Sequence, residues 1–222
     1  MWRQWFRRRE AGSENSSPAE SVQLTLSGWS DDGRDGQLRV WRNADGDVLS
    51  LSSRAFGIPR PFTDGTVRML ARSIAQGNGG GLIEAQIGEC MLGRTAALIY
   101  KRLIEPKYVY TGMLMVARPL DPDLVWTVVS GEIGITGVRE AVITAELMKA
   151  GRLTITDYER SWAQDPYEPE CNTVDRSVLR FMSDDPQYDQ RFPSHPLSKV
   201  RAVLRDLPRH FTIVDASAAQ SF

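Results

Sequence analysis

The side chains best suited to acid–base chemistry lie close together near the end of the chain, in residues 183–201, SDDPQYDQRFPSHPLSKVR. His195 stands in this stretch with Asp185 and Asp189. A histidine beside carboxylates holds its proton more strongly and serves as a general acid or base. If the chain is an enzyme, the sequence makes His195 with Asp185 or Asp189 the candidate catalytic set.

A structural interpretation of the same residues competes with this one, and we favour it. His195 lies between Ser194 and Pro196 at the start of a segment with helical spacing of apolar residues. Polar side chains cap helices at such positions, and proline is common in the first turn. The neighbouring aspartates would then form turns and pair with Arg180 or Arg191. Under this interpretation no catalytic residue is assigned.

Other patterns for catalysis or metal binding are weaker. Glu132 and Glu140 flank a turn and are candidates for a carboxylate pair, whose separation a sequence does not give. The nitrogen and sulfur ligands of the chain are His195, His210, Cys90 and Cys171. They show no paired spacing, so we predict no metal. We also predict no cofactor, because the glycine run at 77–81 follows a helical segment, whereas phosphate loops precede one.

A compact passage rich in glycine is the first choice of location for a small ligand. Gly134 and Gly137 lie between a predicted strand and a predicted helix, with Arg139 just inside the helix. A helix N-terminus presents free backbone N–H groups, and Arg139 could assist them in binding an anion. Alternatively the glycines serve only a tight turn and Arg139 pairs with a carboxylate, which is the interpretation we favour.

The segment 152–194 combines several prolines with many aromatic residues. Disordered segments are poor in aromatic residues, so we predict an ordered but irregular strap that lies over the domain and buries its rings. A docking helix is predicted over 195–207, before Pro208. Rings of the strap could also contact a protein partner, and the candidates are Trp162, Tyr167, Tyr188 and Phe192.

Composition narrows the functional classes. The 222 residues carry a net charge of −1, with 41% hydrophobic and 25% charged residues, which is ordinary for a globular protein. A net charge near zero provides no basic field, so we predict no nucleic-acid partner. The two cysteines form no disulfide framework. We expect reduced thiols in a cytoplasmic protein, with a single bridge between them left open.

Residues 1–21 are predicted to be a disordered or arm-like N-terminus, so the α+β domain is expected to span 22–222. Trp2, Trp5 and Phe6 would share one face of a short helix that also carries arginines. That arrangement could hold the protein at a membrane surface. The alternative, which we favour, is a frayed terminus, or an arm packed on its own domain or on a second subunit. We find no apolar stretch long enough for a membrane span.

The elements that must position these residues follow from periodicity and turn signals. Alternation of Val22, Leu24 and Leu26 predicts a first strand, and two more strands are expected around the Asp45-Gly46 turn. A helix over 65–76, four strand-like runs and a second helix over 138–150 follow. The strand connections are too short for parallel crossovers. We therefore predict an α+β fold, with an antiparallel sheet of six to seven strands sandwiched with two to three helices.

The second helix is predicted in more detail, because it follows the glycine-rich passage. Thr136 is the expected cap. The spacing of apolar residues along this helix predicts which side faces the sheet. That side is expected to carry Val138, Val142, Ala145 and Leu147 or Met148.

This order of elements resembles the Mog1/PsbP-like fold over residues 22–150. The resemblance rests on an opening strand that ends in Gly28-Trp29, the hairpin, the helix after it, the antiparallel strands and the closing helix. Proteins of that fold are mostly non-catalytic binding modules: photosystem subunits, nuclear-transport factors, and chaperones or adaptors of bacterial secretion systems. The resemblance does not account for the segment after Arg152.

Together these features predict a bacterial-type cytoplasmic protein that binds another protein without catalysis, as an adaptor, chaperone or immunity-like factor. Two alternatives stay open. One is an enzyme with its site near His195 and Asp185 or Asp189, so enzyme activity is not decided. The other is a membrane-surface protein held by Trp2 and Trp5.

Overall fold

The computed structural model describes residues 22–54, 62–117, 123–170 and 174–213. Trp2, Trp5 and Phe6, on which the predicted membrane contact depends, lie outside the described residues, as does Cys171. Cys90 is a half-buried free thiol. Within the described ranges, no helix is long and apolar enough to cross a membrane.

Most of the strands form one antiparallel sheet. In chain order the described strands are β1 (Val22–Leu24), β2 (Trp29–Asp35), β3 (Leu38–Asn43), β4 (Val48–Arg54), β5 (Gly81–Cys90), β6 (Gly93–Ile104), β7 (Lys107–Val116), β8 (Asp123–Gly131), β9 (Ala163–Gln164), β10 (Arg180–Phe181) and β11 (Phe211–Ile213). Strands β2 to β8 form a seven-stranded sheet in the order β2-β3-β4-β8-β7-β6-β5. The predicted α+β class and the predicted strand number are confirmed.

Within the described residues, four α-helices accompany the sheet: α1 (Asp64–Gly77), α2 (Val138–Lys149), α3 (Ile155–Ser161) and α4 (Pro196–Asp206). Helix α1 begins at Thr63, which exchanges hydrogen bonds with Thr66 in a capping box. Helix α3 lies in the strap, which we define as residues 152–194. The strap also contains short 3-10 turns, among them Met182–Asp184 and Pro186–Arg191, and the two-residue strands β9 and β10.

One face of the sheet is covered by α4 and by the ladder of β1 with β11. Val200 and Leu204 of α4 are buried in the same cluster as Trp126 of β8. Gly112 of β7 permits this close packing, because a Cβ there would lie 2.6 Å from Val200 Cγ1. Helix α4 therefore rests directly on the backbone of β7.

The opposite face is covered by α1, and a third apolar cluster lies outside both faces. Ala71 and Ala75 of α1 are fully buried, and their small side chains let the helix lie close to β5 and β6. In the third cluster, Ile143 and Leu147 of α2 pack with rings and aliphatic side chains of the strap. The strap thus contributes residues to a separate, third apolar cluster.

The buried face of α2 differs from the predicted one. Val138 is 47% exposed and Val142 is 36% exposed, whereas Arg139 and Ile143 are buried together with Leu147, which was one of the two predicted alternatives at its position. Both sets have helical spacing, and the set that contains an arginine is the buried one because Arg139 finds hydrogen-bond partners inside the protein. Thr136 is not the cap: Gly137 occupies that position in a left-handed conformation, with φ of 72°.

The first predicted strand is also different. Val22 to Leu24 form the short strand β1, which pairs with β11 and not with the next strand. The three-stranded meander begins later, at Trp29 in β2. The apolar residues of this segment do alternate with polar ones. The alternation arises because Val22 and Leu24 pack in the same apolar cluster as Phe211 of β11.

Candidate functional site

A buried ion pair joins the strap to the sheet. Lys101 lies on β6, and its Nζ is 2.8 Å from Oδ2 of Asp184 in the 3-10 turn Met182–Asp184. Both side chains are fully buried. The Phe181 N–H also donates to Asp184 Oδ2, and Lys101 Nζ lies 3.0 Å from the centroid of the Phe181 ring. An ammonium over an aromatic face is a favourable contact in a site without water.

The electrostatics of this pair follow from its burial. Burial by itself would raise the pKa of Asp184, but the attraction of Lys101 and the hydrogen bonds from Lys101 and the Phe181 N–H outweigh it, so the pKa lies below its ordinary value. Burial lowers the pKa of Lys101, and Asp184 opposes that change. Neither group meets solvent, so the pair positions the strap and does not present a reactive group.

Arg139 of α2 is a second connection to the strap. Its Nε donates to the Ser183 carbonyl at 2.7 Å, and its Nη2 donates to the Asp185 carbonyl at 3.0 Å. Its Nη1 donates at 2.9 Å to both Asp189 Oδ1 and Ser198 Oγ. Arg139 is only 1% exposed, and each of its three side-chain nitrogens donates at least one hydrogen bond inside the protein.

Arg201 of α4 extends this network to the edge of the sheet. Its guanidinium donates to the Glu84 carboxylate of β5, to both oxygens of Asp189 and to the Asp184 carbonyl. The carboxylate of Asp189 therefore bridges Arg139 and Arg201. Through these contacts the strap is fastened to α2, α4 and β5 at once.

His195 does not meet the aspartates that the sequence placed beside it. Its Nδ1 accepts the Leu197 N–H at 3.3 Å and so caps α4. Its Nε2 lies 3.6 Å from Oε1 of Glu140, and its ring packs edge-on against Tyr110 with centroids 5.3 Å apart. Asp185 caps the Gln187 N–H instead. The structure thus brings His195 together with a glutamate on α2.

Three side chains with potential ligand atoms meet at this point: Glu132, Glu140 and His195, with one such atom of each lying within 4.8 Å of the others. The two glutamates are those that flank the glycine-rich turn. Sequence reasoning had named both as a carboxylate pair but had not connected them to His195. Helical spacing offers no signal for this contact, because Glu140 and His195 lie on different helices far apart in the chain.

The glycine-rich passage holds a carboxylate of the protein at the helix N-terminus. Glu132 Oε1 accepts the Gly137 N–H at 2.9 Å, and Glu132 Oε2 accepts the Tyr108 N–H at 2.9 Å. Gly134 has a φ of 78°, which the turn requires. Arg139 points into the protein and not toward this N-terminus. An external anion would have to displace Glu132.

The four aromatic candidates for partner contact are used inside the protein to different degrees. Trp162 is 6% exposed and stacks on Phe181. The Tyr167 hydroxyl accepts the Ala85 N–H and donates to the Ala85 carbonyl, both at 2.8 Å, at the edge of β5. Tyr188 and Phe192 are half-buried and pack on the third cluster.

The exposed apolar side chains concentrate elsewhere, in the glycine-rich loop and the first turns of α2. Ile133 is 65% exposed, Ile135 is 85% exposed, and Val138 and Val142 are exposed apolar residues in the first turns of α2. Val138 and Val142 are four residues apart and so share one side of the helix. We call these four residues the 133–142 surface. Several adjacent exposed aliphatic residues are a feature of interaction sites.

Comparison with known proteins gives a likeness of fold. Neither a protein-family model nor a curated protein matches the chain. A solved structure of the Ran-binding protein Mog1p of Saccharomyces cerevisiae matches with 12% identity and a TM-score of 0.46, covering 90% of this chain and 93% of that one. A mutant of protein Mog1 matches with 12% identity and a TM-score of 0.47, covering 90% of this chain and 94% of that one.

Proposed function

We propose that the chain is a non-catalytic protein-binding module and that it contacts its partner through the 133–142 surface. The observation that carries this proposal is the exposure of Ile133, Ile135 and Val138, at 65%, 85% and 47%, beside one another in the chain. Burying such a group of aliphatic side chains against a partner removes them from water and lowers the free energy of the complex.

The distribution of the ionic groups supports a non-catalytic role. Lys101 and Asp184 are buried and paired with each other, and Arg139 is buried and donates to the strap and to Ser198 of α4. A general acid or base has to reach a substrate proton within hydrogen-bond distance. His195 faces Glu140 and Tyr110, and its side chain is only 8% exposed. These groups fasten the strap and hold the loop that carries the 133–142 surface.

The turn geometry supports a defined binding surface. Glu132 fixes both ends of the loop, because its carboxylate accepts N–H groups from Tyr108 of β7 and from Gly137 at the start of α2. Lys107 adds a bond from its Nζ to the Glu132 carbonyl at 3.2 Å. A loop held at both ends presents Ile133 and Ile135 with less ordering cost on binding. The bacterial cytoplasm and an adaptor, chaperone or immunity-like role remain part of this proposal.

The test compares affinity purifications of tagged full-length protein from the cells that produce it. The wild type is expected to recover a partner protein in stoichiometric amount. The double variant Ile135→Asp/Val138→Asp should lose that protein by at least tenfold, because charges replace the apolar contacts. Met91→Asp is the matched control, since Met91 is 93% exposed and lies outside the surface. Equal recovery by all three proteins would contradict the proposal.

A further inference from the structure

Glu140 is a buried carboxylate without a hydrogen-bond donor. Its side chain is 12% exposed, and neither Oε1 nor Oε2 has a hydrogen-bond partner among the described residues. Leaving an ionised carboxylate unpaired in the interior is among the most costly arrangements in a protein. Glu132 differs, because its two oxygens accept backbone N–H groups.

The charges around this point do not balance. The three buried cations nearby each have a carboxylate partner: Lys101 pairs with Asp184, Arg139 with Asp189 and Arg201 with Glu84. Across the described ranges, neither Glu132 nor Glu140 forms an ion pair with a lysine or arginine. Two negative charges therefore remain beside His195, in a place where solvent screening is poor.

A second, independent observation points into the same space. The Nε2 atom of His195 is buried without a hydrogen-bond partner in the described part of the chain and faces Glu140 Oε1 at 3.6 Å. The His195 side chain is 8% exposed, so this nitrogen cannot rely on water. The Tyr110 hydroxyl is also buried without a hydrogen-bond partner among the described residues, and the Tyr110 ring packs edge-on against the His195 ring. Several buried polar atoms without hydrogen-bond partners therefore lie close together, and such a group of atoms is typical of a ligand-binding site.

We propose that Glu132, Glu140 and His195 bind a divalent transition-metal cation. Two carboxylates and one imidazole are a donor set that suits Zn²⁺, Mn²⁺ or Fe²⁺ better than Mg²⁺ or Ca²⁺, which prefer oxygen ligands only. A double positive charge matches the two unpaired carboxylates. The three side chains already lie with ligand atoms within 4.8 Å of one another, so small side-chain adjustments would complete the set.

Binding of a cation at His195 Nε2 affects the hydrogen bond at His195 Nδ1, and the loss of that hydrogen bond opposes binding. Nδ1 accepts the Leu197 N–H at 3.3 Å, which places the ring proton on Nε2. A cation at Nε2 moves the ring proton to Nδ1 and gives up this cap bond. The bond is longer than the usual N–H···N or N–H···O distance, whereas the cation gives Glu140, which faces His195 Nε2 at 3.6 Å, a directly bonded partner.

The cation would link three parts of the fold that also build the proposed binding surface. Glu132 follows β8, Glu140 lies in the first turn of α2 and His195 begins α4. Three of the four residues of the 133–142 surface, Ile133, Ile135 and Val138, lie between the two glutamates in sequence. A cation at this point would fix that loop against α4 and stabilise the folded chain, independently of whether a protein partner binds.

The test uses the full-length protein, freed of metal with a chelator, and titrates it with Zn²⁺ and with Mn²⁺ by calorimetry. We expect one site per chain with micromolar or tighter affinity for at least one of these ions, and a higher melting temperature in its presence. Glu140→Gln and His195→Asn should each weaken binding by at least tenfold. Asparagine is a good helix cap, so His195→Asn removes the ligand and keeps the cap of α4.

Two control variants separate the site from adventitious binding. His210→Asn removes the other histidine, and Glu146→Gln removes an exposed carboxylate of the same helix as Glu140. Both should bind the ion as the wild type does. Circular dichroism should show that all four variants are folded. The proposal is overturned if the wild type binds neither ion at about 1 mM, or if the control variants weaken binding as much as Glu140→Gln does.

Discussion

Lys101 and Asp184 form an ion pair with a 2.8 Å Nζ–Oδ2 distance, and both side chains are fully buried. Lys101 comes from β6 of the sheet and Asp184 from a turn of the strap. The pair therefore ties a segment of irregular backbone to the sheet at a point that water does not reach. Removing one partner leaves the other charge buried without compensation.

Replacing Lys101 with methionine should destabilise the protein strongly. Lys101→Met leaves Asp184 uncompensated, and we expect the free energy of unfolding to fall by about 3–5 kcal/mol in urea titrations. The double variant Lys101→Met/Asp184→Leu should recover much of this loss, because neither charge is then buried.

The Arg191–Glu146 pair is the matched control for this prediction. It has a 2.6 Å separation, but its side chains are 46% and 49% exposed. Arg191→Met should leave the unfolding midpoint almost unchanged, because solvent screens exposed pairs. Equal losses for Lys101→Met and Arg191→Met would contradict the role assigned to burial.

Asp165 should make the stability of the protein depend on acid pH. Burial would raise the pKa of Asp165, but hydrogen bonds from Arg72 and from the N–H groups of Tyr167 and Glu168 outweigh it, so the pKa lies below its ordinary 3.8. A lowered pKa adds stability above pH 3.8 that is lost as the pH falls through the lower value in the folded protein.

Asp165→Asn tests this pH dependence. At pH 7 the variant should be less stable than the wild type by about 2 kcal/mol, because charge-assisted bonds that fasten the strap to α1 are lost. The difference in unfolding free energy between the two proteins should shrink below pH 3.8. A difference that stays constant from pH 7 to pH 3 would show that the charge of Asp165 contributes nothing.

Tyr167 should protect the edge of the sheet. Its hydroxyl satisfies both backbone groups of Ala85 on the outer edge of β5. Tyr167→Phe removes that hydroxyl, so the Ala85 amide should exchange its hydrogen at least tenfold faster in native-state measurements. Tyr158→Phe is the control, since Tyr158 is 39% exposed and stacks on Trp162. Unchanged exchange at Ala85 would mean that the strap does not hold this edge.

Gly112 should not tolerate a side chain. A Cβ there would meet Val200 Cγ1 at 2.6 Å and Leu204 Cδ1 at 2.9 Å, so Gly112→Ala must push α4 away from β7. We expect a loss of about 1–3 kcal/mol in unfolding free energy. Gly131→Ala is the matched strand control, because its Cβ would be 3.8 Å from Val109 Cγ2, an ordinary contact. Similar stabilities of the two variants would contradict this packing.

The sequence was sufficient for the class of the fold and insufficient for the site. Short connections required an antiparallel sheet, and that sheet is present. Lys101 has the same alternation as Ala97 and Ile99, but alternation alone did not mark it as inward, because both faces of β6 are buried. Arg139 shares helical spacing with Ile143 and Leu147, but Val138 and Val142 offered an equally regular and more apolar alternative.

Neither strand alternation nor helical spacing in the sequence could have predicted the contact of His195 with Glu140. Proximity in sequence suggested Asp185 and Asp189, yet the 3-10 turn Pro186–Arg191 directs Asp189 to Arg139 and Arg201. The partner of His195 comes from α2, and only the packing of α2 beside α4 brings the two together. Residue type and spacing describe single elements, whereas this contact depends on two.

The most direct test of the proposed function is site-specific photo-crosslinking in the cells that produce the protein. A photo-crosslinking amino acid is placed at Ile135 in the 133–142 surface, at Met91 as an exposed control, or at Tyr188 in the strap. The account predicts a crosslinked partner at position 135 and none at position 91 or 188. Crosslinks at position 188 without any at position 135 would contradict it and would assign the binding surface to the strap.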